Sequence, residues 1–240
     1  MHDSKLEITT LGKFEVKRAG QLLSQDSSYR VWELFKYIIT NRNTGIVPEL
    51  ALENLWPDQE YSDPRGAVRA LIFRLRKTLG QSPTKDQDYI VFSQGCYHWN
   101  KSVDYWLDVE EFENKAQQAL FLKQNQPEQA EDLLLQAVDL YGGEYLPESY
   151  YCQWTIPVRN YLQSLYLQVV MELMELLAAR GDNSKIITIC EQALRTYPYE
   201  EDIHRYYLKA LVNEGRIKQA RNHYTYTTNK FYQDLGIKPS

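Results

Sequence analysis

Cysteine is scarce in this chain: Cys96, Cys152 and Cys190 are the three among 240 residues, far apart and without a C-x-x-C spacing. An odd count argues against a disulfide framework, and the missing short spacing against a cysteine-built zinc site; buried free thiols are the expected role. The four histidines, His2, His98, His204 and His223, show no ligand spacing, and none has a Ser or Cys beside it in a catalytic motif. No glycine-rich loop of the phosphate-cradling kind is present. With no nucleophile, metal cluster or acid–base group to assemble, the chain reads as a non-enzyme with no catalytic residue, no metal and no cofactor. Long apolar runs are missing too: none approaches the ~20 residues of a membrane span, and the amino terminus MHDSKLEITT lacks an apolar signal region. The expectation is a cytoplasmic chain that does not enter a membrane.

What the chain does have is an uneven distribution of charge. The net charge is −5 and hydrophobic residues make up 43%, ample for packed cores in one or two domains. Residues 1–103 hold 14 Lys and Arg against 12 Asp and Glu, whereas the remainder holds 13 against 20. Most conspicuous is the run 62–80, SDPRGAVRALIFRLRKTLG. Val68, Leu71, Ile72, Leu75 and Leu79 recur at helical spacing and form a stripe fit for a core. Arg65, Arg69 and Arg76 share another face, extended by Phe73 and Lys77, and no acid falls between Arg65 and Leu79. Ser62 and Asp63 supply cap chemistry, Pro64 suits the first helical position and Gly80 ends the run. Five cations on one helix of an acidic chain point to a large anion, and DNA is the obvious one.

The context supports that reading. Val31, Leu34, Phe35 and Ile38 predict a helix over 28–42. Pro48 to Trp56 predicts a short one with Leu52 and Leu55 inward, stopped by Trp56-Pro57. Helix, short helix, connector and basic helix is the order of a helix-turn-helix with a somewhat long turn. Ahead of it, the alternation of Leu6, Ile8 and Thr10, a turn at Gly12, then Phe14 and Val16 predict two antiparallel strands, with a third near Gln21 to Leu23. After it, Tyr89 to Phe92 and Tyr97 to Trp99 flank Gln94-Gly95, a hairpin signal placed where a wing belongs. Residues 5–100 therefore read as a winged helix-turn-helix with a leading sheet. On physical grounds Arg65 and Arg69 are placed to reach base edges, Phe73 to touch a thymine methyl, and Arg76 and Lys77 to hold phosphates. Arg74 sits on the other flank, where a carboxylate of its own domain can take it, and Gln94 and Tyr97 are the wing candidates.

Beyond a junction at 104–107 the period is helical, with no returning strand signal. Helices are expected at Val109–Leu120, from Pro127, over 156–179 and near 184–196, 200–213 and 217–234. Gly181 and Gly215 lie one 34-residue tetratricopeptide period apart, and Asn125 opens a third, partly matching unit. Tyr161, Tyr206, Tyr207 and Tyr224 are expected as core or groove lining. The fold class is thus an α+β winged helix-turn-helix in 1–103 followed by an all-α tetratricopeptide-like domain in 104–240.

The leading LEITTLGKFEV, the basic helix ending RLRKTLG, the wing with Gly95-Cys96-Tyr97, ALVNEGRIKQA and the closing DLGIKP together resemble the SARP class of bacterial transcriptional activators. These join an OmpR-type winged helix to a bacterial transcriptional activation domain. The wing departs from many members, which have Gly-Tyr where this chain has Gly-Cys-Tyr. Relatives also continue with another helix beyond the place of Pro239-Ser240, so the chain is expected to be truncated or the effector portion of a larger regulator. The resemblance implies an activator that lays its basic helix in the major groove of double-stranded promoter DNA, binds direct repeats as tandem protomers, a homodimer on DNA, and recruits RNA polymerase. Asp58-Gln59-Glu60-Tyr61 resembles the loop that contacts the polymerase in OmpR-type regulators, and is otherwise a plain connector. The alternative is a tetratricopeptide-type interaction scaffold in which the winged helix binds protein or only supports structure.

Overall fold

The computed structural model describes residues 5–23, 28–80 and 88–238, and the chain divides into two compact units, Met1–Glu111 with Tyr145–Tyr161, and Phe112–Glu144 with Leu162–Ser240. In the first unit, strands β1 (Leu6–Thr9), β2 (Glu15–Arg18) and β3 (Gln21–Leu22) pair antiparallel, and β6 (Tyr105–Leu107) joins β1 in parallel, giving the order β3-β2-β1-β6. Leu6, Ile8 and Val16 point from this sheet into the core. Helices α1 (Tyr29–Thr40), α2 (Pro48–Leu55) and α3 (Pro64–Thr78) follow, then the antiparallel hairpin of β4 (Ile90–Ser93) and β5 (Cys96–Trp99). The predicted stripe of α1 is buried throughout. Aromatic edges link the layers. Phe14 meets Trp32 at 5.7 Å, Trp32 meets Phe35 at 5.7 Å and Phe35 meets Trp99 at 5.8 Å, with Tyr89 stacked on Trp99 at 5.5 Å and Tyr105 edge-on at 5.2 Å. Trp99 thereby joins the hairpin to both α1 and β6, and such ring pairs add to the burial they bring.

The sheet takes in part of the stretch 104–107 that the sequence presents as a junction. Parallel β6 is fastened by the residue that follows it. Asp108, 2% exposed, accepts hydrogen bonds from Thr10 N–H at 2.6 Å, Thr10 Oγ1 at 2.7 Å, Leu11 N–H at 2.7 Å and its neighbour Val109 N–H at 2.8 Å. Burial pushes this carboxyl above its ordinary value while the four donors pull the other way. The first unit also takes in residues 145–161, beyond the expected boundary at 103. Leu146 N–H bonds Thr10 O at 2.8 Å, Trp154 packs edge-on against Tyr37 at 5.4 Å, and the buried Lys36–Glu33 pair on α1 reaches Ser149 Oγ at 3.4 Å.

The second unit is helical, carried by α4 (Asp108–Leu122), α5 (Pro127–Leu140), α6 (Ile156–Arg180), α7 (Asn183–Thr196), α8 (Glu201–Asn213) and α9 (Ile217–Leu235), of which the first turns of α4 and α6 belong to the first unit. The bounds follow the periodicity of the sequence closely. α6 is the one described helix long and apolar enough to cross a membrane by length and composition, but Leu162, Tyr166, Val169, Val170, Leu173, Met174 and Leu177 are buried in its own unit, as in a core helix. Gly181 and Gly215 close α6 and α8 in the same way. Each takes φ near the left-handed region, 73° and 71°, and each is followed by a residue bonded back five positions: Asp182 N–H to Leu177 O at 3.0 Å, Arg216 N–H to Leu211 O at 2.8 Å. The core tyrosines are Tyr141, Tyr166 and Tyr197, with Tyr141 stacked on Tyr166 at 4.0 Å and its hydroxyl 2.5 Å from that of Tyr197. Of the tyrosines expected as core or groove lining, Tyr207 is buried and Tyr206 half-buried, whereas Tyr224 is 59% and Tyr161 47% exposed.

Between α8 and α9, His204 Nε2 lies 3.0 Å from the Pro198 carbonyl and must carry its proton there; Nδ1 then accepts from His223 Nε2 at 2.9 Å. Burial, and for His223 also the neighbouring imidazole, holds both rings below the usual histidine range, His223 down to about 4.

Candidate nucleic-acid interface

The basic helix α3 is held at both ends and along one side. Asp63 Oδ1 accepts Gly66 N–H at 2.9 Å, with Pro64 in the first turn. A Cβ at Gly66 would stand 2.1 Å from Asp63 Oδ2, so a larger residue there would make the Asp63 carboxylate turn aside. At the other end, the guanidinium of Arg18 on β2 donates to Leu79 O at 2.7 Å and Gly80 O at 2.5 Å, a cation on carbonyls that carry the negative end of the helix dipole. Val68, Ile72, Leu75 and Leu79 are buried beneath, with Leu71 at the margin.

Around the axis the cations fall into two groups. At about 100° per residue, Arg65 and Arg76 lie nearest the buried stripe, while Arg69, Phe73 and Lys77 stack on the outward face and Arg74 lies on its far flank. The inner pair is engaged. Arg65 Nε bonds Glu49 Oε1 of α2 at 2.5 Å, and Arg76 donates to Ile90 O at 2.5 Å and faces Asp88 at 3.5 Å. The outer group is open to solvent: Arg69, Arg74 and Lys77 are exposed and make no ion pair or hydrogen bond among the described residues, and Phe73 is 70% exposed.

Three expectations change accordingly. Arg76, assigned to phosphate, is a strut between α3 and the foot of the hairpin, because its position beside the apolar stripe puts it within reach of β4. Arg74, expected to pair with a carboxylate of its own domain, stands open instead, since its flank turns from the neighbouring elements. Tyr97, a wing candidate, is 7% exposed: it packs on Phe92 at 4.7 Å, and its backbone pairs with Ile46 at 2.8 and 2.9 Å. Gln94, by contrast, is exposed at the hairpin tip, where Gln94 and Gly95 take φ of 50° and 83°, the tight turn the sequence predicts. Phe92, 57% exposed beside that tip, escaped the sequence reading. Its place one residue before Ser93 and the turn was the available sign.

The connector between α2 and α3 is half tied and half free. Gln59 Oε1 accepts from Arg30 of α1 at 2.7 Å and from the Tyr61 hydroxyl at 2.9 Å, and Arg30 in turn lies over the Trp56 ring at 5.3 Å. Asp58 and Glu60 face solvent with no partner among the described residues. The four residues therefore split into two that shape the loop and two that present negative charge. Among the described residues, no three His, Cys, Asp or Glu stand where they would hold a metal ion.

Comparison with known proteins agrees with this architecture. Curated protein sequences gave no match. Among solved structures, Mycobacterium tuberculosis EmbR in complex with low affinity phosphopeptide is similar in fold, with a TM-score of 0.77 and 20% sequence identity. The similarity covers 98% of this chain and 62% of that one, so the chain spans less than two thirds of the EmbR chain. An α+β region followed by paired helices thus matches, in general terms, a winged helix-turn-helix joined to a tetratricopeptide-like domain, the SARP-like arrangement. The model of the bacterial transcriptional activator domain matches residues 107–240, more than half the sequence, and it is to this family that the chain belongs.

Proposed function

We propose that the chain is a sequence-specific DNA-binding activator of transcription. The observation that carries this reading is the outward face of α3: Arg69, Phe73, Lys77 and Arg74 are exposed on a helix without acids, the three cations without a partner among the described residues, in a chain of net charge −5. Such a face suits the major groove of promoter DNA. Arg65 and Arg69, toward the N-terminal end, are assigned to base edges, Lys77 and Arg74 to phosphates, Phe73 to a thymine methyl and Gln94 to the groove beside the wing. Residues 1–103 would read DNA, as tandem protomers on direct repeats. Residues 104–240, acidic and built of helix pairs, would serve assembly and activation. Asp58 and Glu60 are the groups offered to RNA polymerase.

Fluorescence anisotropy on duplex DNA at several salt concentrations tests the reading. Neutralising about four to six phosphates gives a slope of log K against log salt of roughly −4 to −5, from about −0.9 per phosphate. Arg69→Ala should cost roughly 1–3 kcal/mol on a selected site and relax preference at one base. Binding indifferent to salt would remove the proposal. The second reading, a regulatory scaffold that binds protein, is favoured by the helix pairs of the activator domain and by the phosphopeptide in the EmbR structure's title. It predicts partner capture by the whole chain with no duplex binding.

A further inference from the structure

Arg65 is the first cation of α3, and Glu49 lies in the first turn of α2. They meet through one chosen atom: Nε, not the fork, donates to Glu49 Oε1 at 2.5 Å. Both η nitrogens are without a partner among the described residues. The Arg65 side chain is 74% exposed, and an ion pair that open to water contributes little to stability. Its effect is on direction. A guanidinium is a rigid planar fork of five N–H groups, so fixing Nε leaves the end-on edge, the two η nitrogens, as the face it can present. That edge matches the O6 and N7 of guanine in the major groove.

Glu49 is a firm post for this purpose. It follows Pro48 in α2, a helix seated on the buried Ala51 and Leu52. Its own backbone amide, and then Arg65, hold its carboxyl below the usual carboxylate range, so it is charged at neutral pH. Arg69, one turn further along, has no such carboxylate among the described residues.

We propose that Glu49 is a positioning residue for base reading, orienting Arg65 so that its terminal nitrogens present end-on to a single guanine. The proposal rests on the DNA-binding reading above and adds to it one base and the group that selects it. It also separates two effects that a carboxylate beside a DNA-facing arginine can have. A mere competitor for Arg65 would weaken all DNA binding, and its removal would tighten all sequences alike. A post that aims the fork sharpens one base, and its removal blurs that base.

The test is selection of the full chain and its variants on a library of randomised duplex oligonucleotides, followed by anisotropy on the winning site and its single-base variants. The wild-type chain should prefer guanine at one position by about tenfold or more. Arg65→Ala and Arg65→Lys should both abolish that preference. Glu49→Ala should reduce it most of the way toward the Arg65→Ala value while leaving the other positions unchanged, and Glu49→Ala with Arg65→Ala should be no worse than Arg65→Ala alone. Glu49→Gln, whose amide oxygen still accepts Nε–H, should restore most of the preference. Glu53→Ala, which removes an exposed charge from the same helix, should leave it intact. A Glu49→Ala chain that keeps the guanine preference, or that binds every sequence more tightly and equally, overturns the positioning role while leaving DNA binding standing. A wild-type chain that binds no duplex overturns both.

Discussion

Elements of the first unit are set by single polar anchors between distant residues: Asp108 to Thr10 and Leu11, Arg18 to the end of α3, Arg76 to the foot of the hairpin. In the second unit the helices are closed by local bonds that recur, at Gly181 and again at Gly215, and are stacked through buried Leu, Ile, Val, Ala and Tyr side chains. The contrast teaches where each unit is vulnerable. An anchor that satisfies several buried groups fails all at once, whereas repeated apolar packing loses stability in steps.

The largest effect expected is at Asp108. Asp108→Ala leaves three buried backbone N–H groups, of Thr10, Leu11 and Val109, and the Thr10 hydroxyl without their acceptor, at a cost of about 3 kcal/mol or more, measurable by urea unfolding. A loss no greater than that of an ordinary surface substitution would erase the distinction between the units.

Next come the cations of α3, where the two ways of using a charge can be told apart. Lys77→Ala should weaken binding to every duplex and flatten the salt slope by about 1. Arg76→Ala should lower thermal stability and loosen the hairpin, seen as faster amide exchange in β4, with the slope hardly changed. If both variants altered the slope equally, Arg76 would belong with the phosphate contacts after all.

Smaller, and equal to each other, should be the effects of Gly181→Ala and Gly215→Ala. Each places a Cβ at positive φ with nothing within 4 Å to clash, so the cost is the backbone conformation alone, about 1 kcal/mol. Unequal losses would mean that the two turns are less alike than their bonding.

The gentlest prediction is in pH. The folded-state values of His204 and His223 are lowered, so the unfolded chain takes up protons first as pH falls below about 6.5. The stability these rings contribute is therefore full above that pH and is lost progressively down to about 4, the His223 value. The melting temperature should drop over this window, and His223→Gln should flatten that part of the profile.

Periodic elements are legible in the sequence itself. The α3 stripe, the proline that opens α5 and the Gln94-Gly95 turn each depend on neighbours in sequence, and each lies where its pattern predicts. β6 was not legible, because a three-residue strand paired to β1 nearly a hundred residues away leaves no local period. Nor was the return of 145–161 to the first unit, which depends on where Tyr145, Ser149 and Trp154 find partners. On α3 the angle of each cation could be read from its position. Which of them a neighbouring element would engage could not: Arg65 meets Glu49 and Arg76 meets Ile90, while Arg74 stands open. The tyrosines teach the same lesson, since the side chains that meet in the core, Tyr141, Tyr166 and Tyr197, come from different helices or helix ends and share no sequence spacing.

The matched closures at Gly181 and Gly215 give the helical unit a natural quantum of length. Because the same turn recurs after 34 residues, a second copy of 182–215 spliced in at Gly215 would begin and end on identical geometry and offer its neighbours the surfaces they already accept. Insertions of other sizes would rotate every later helix out of phase. Growth or shrinkage of this domain is thereby quantised.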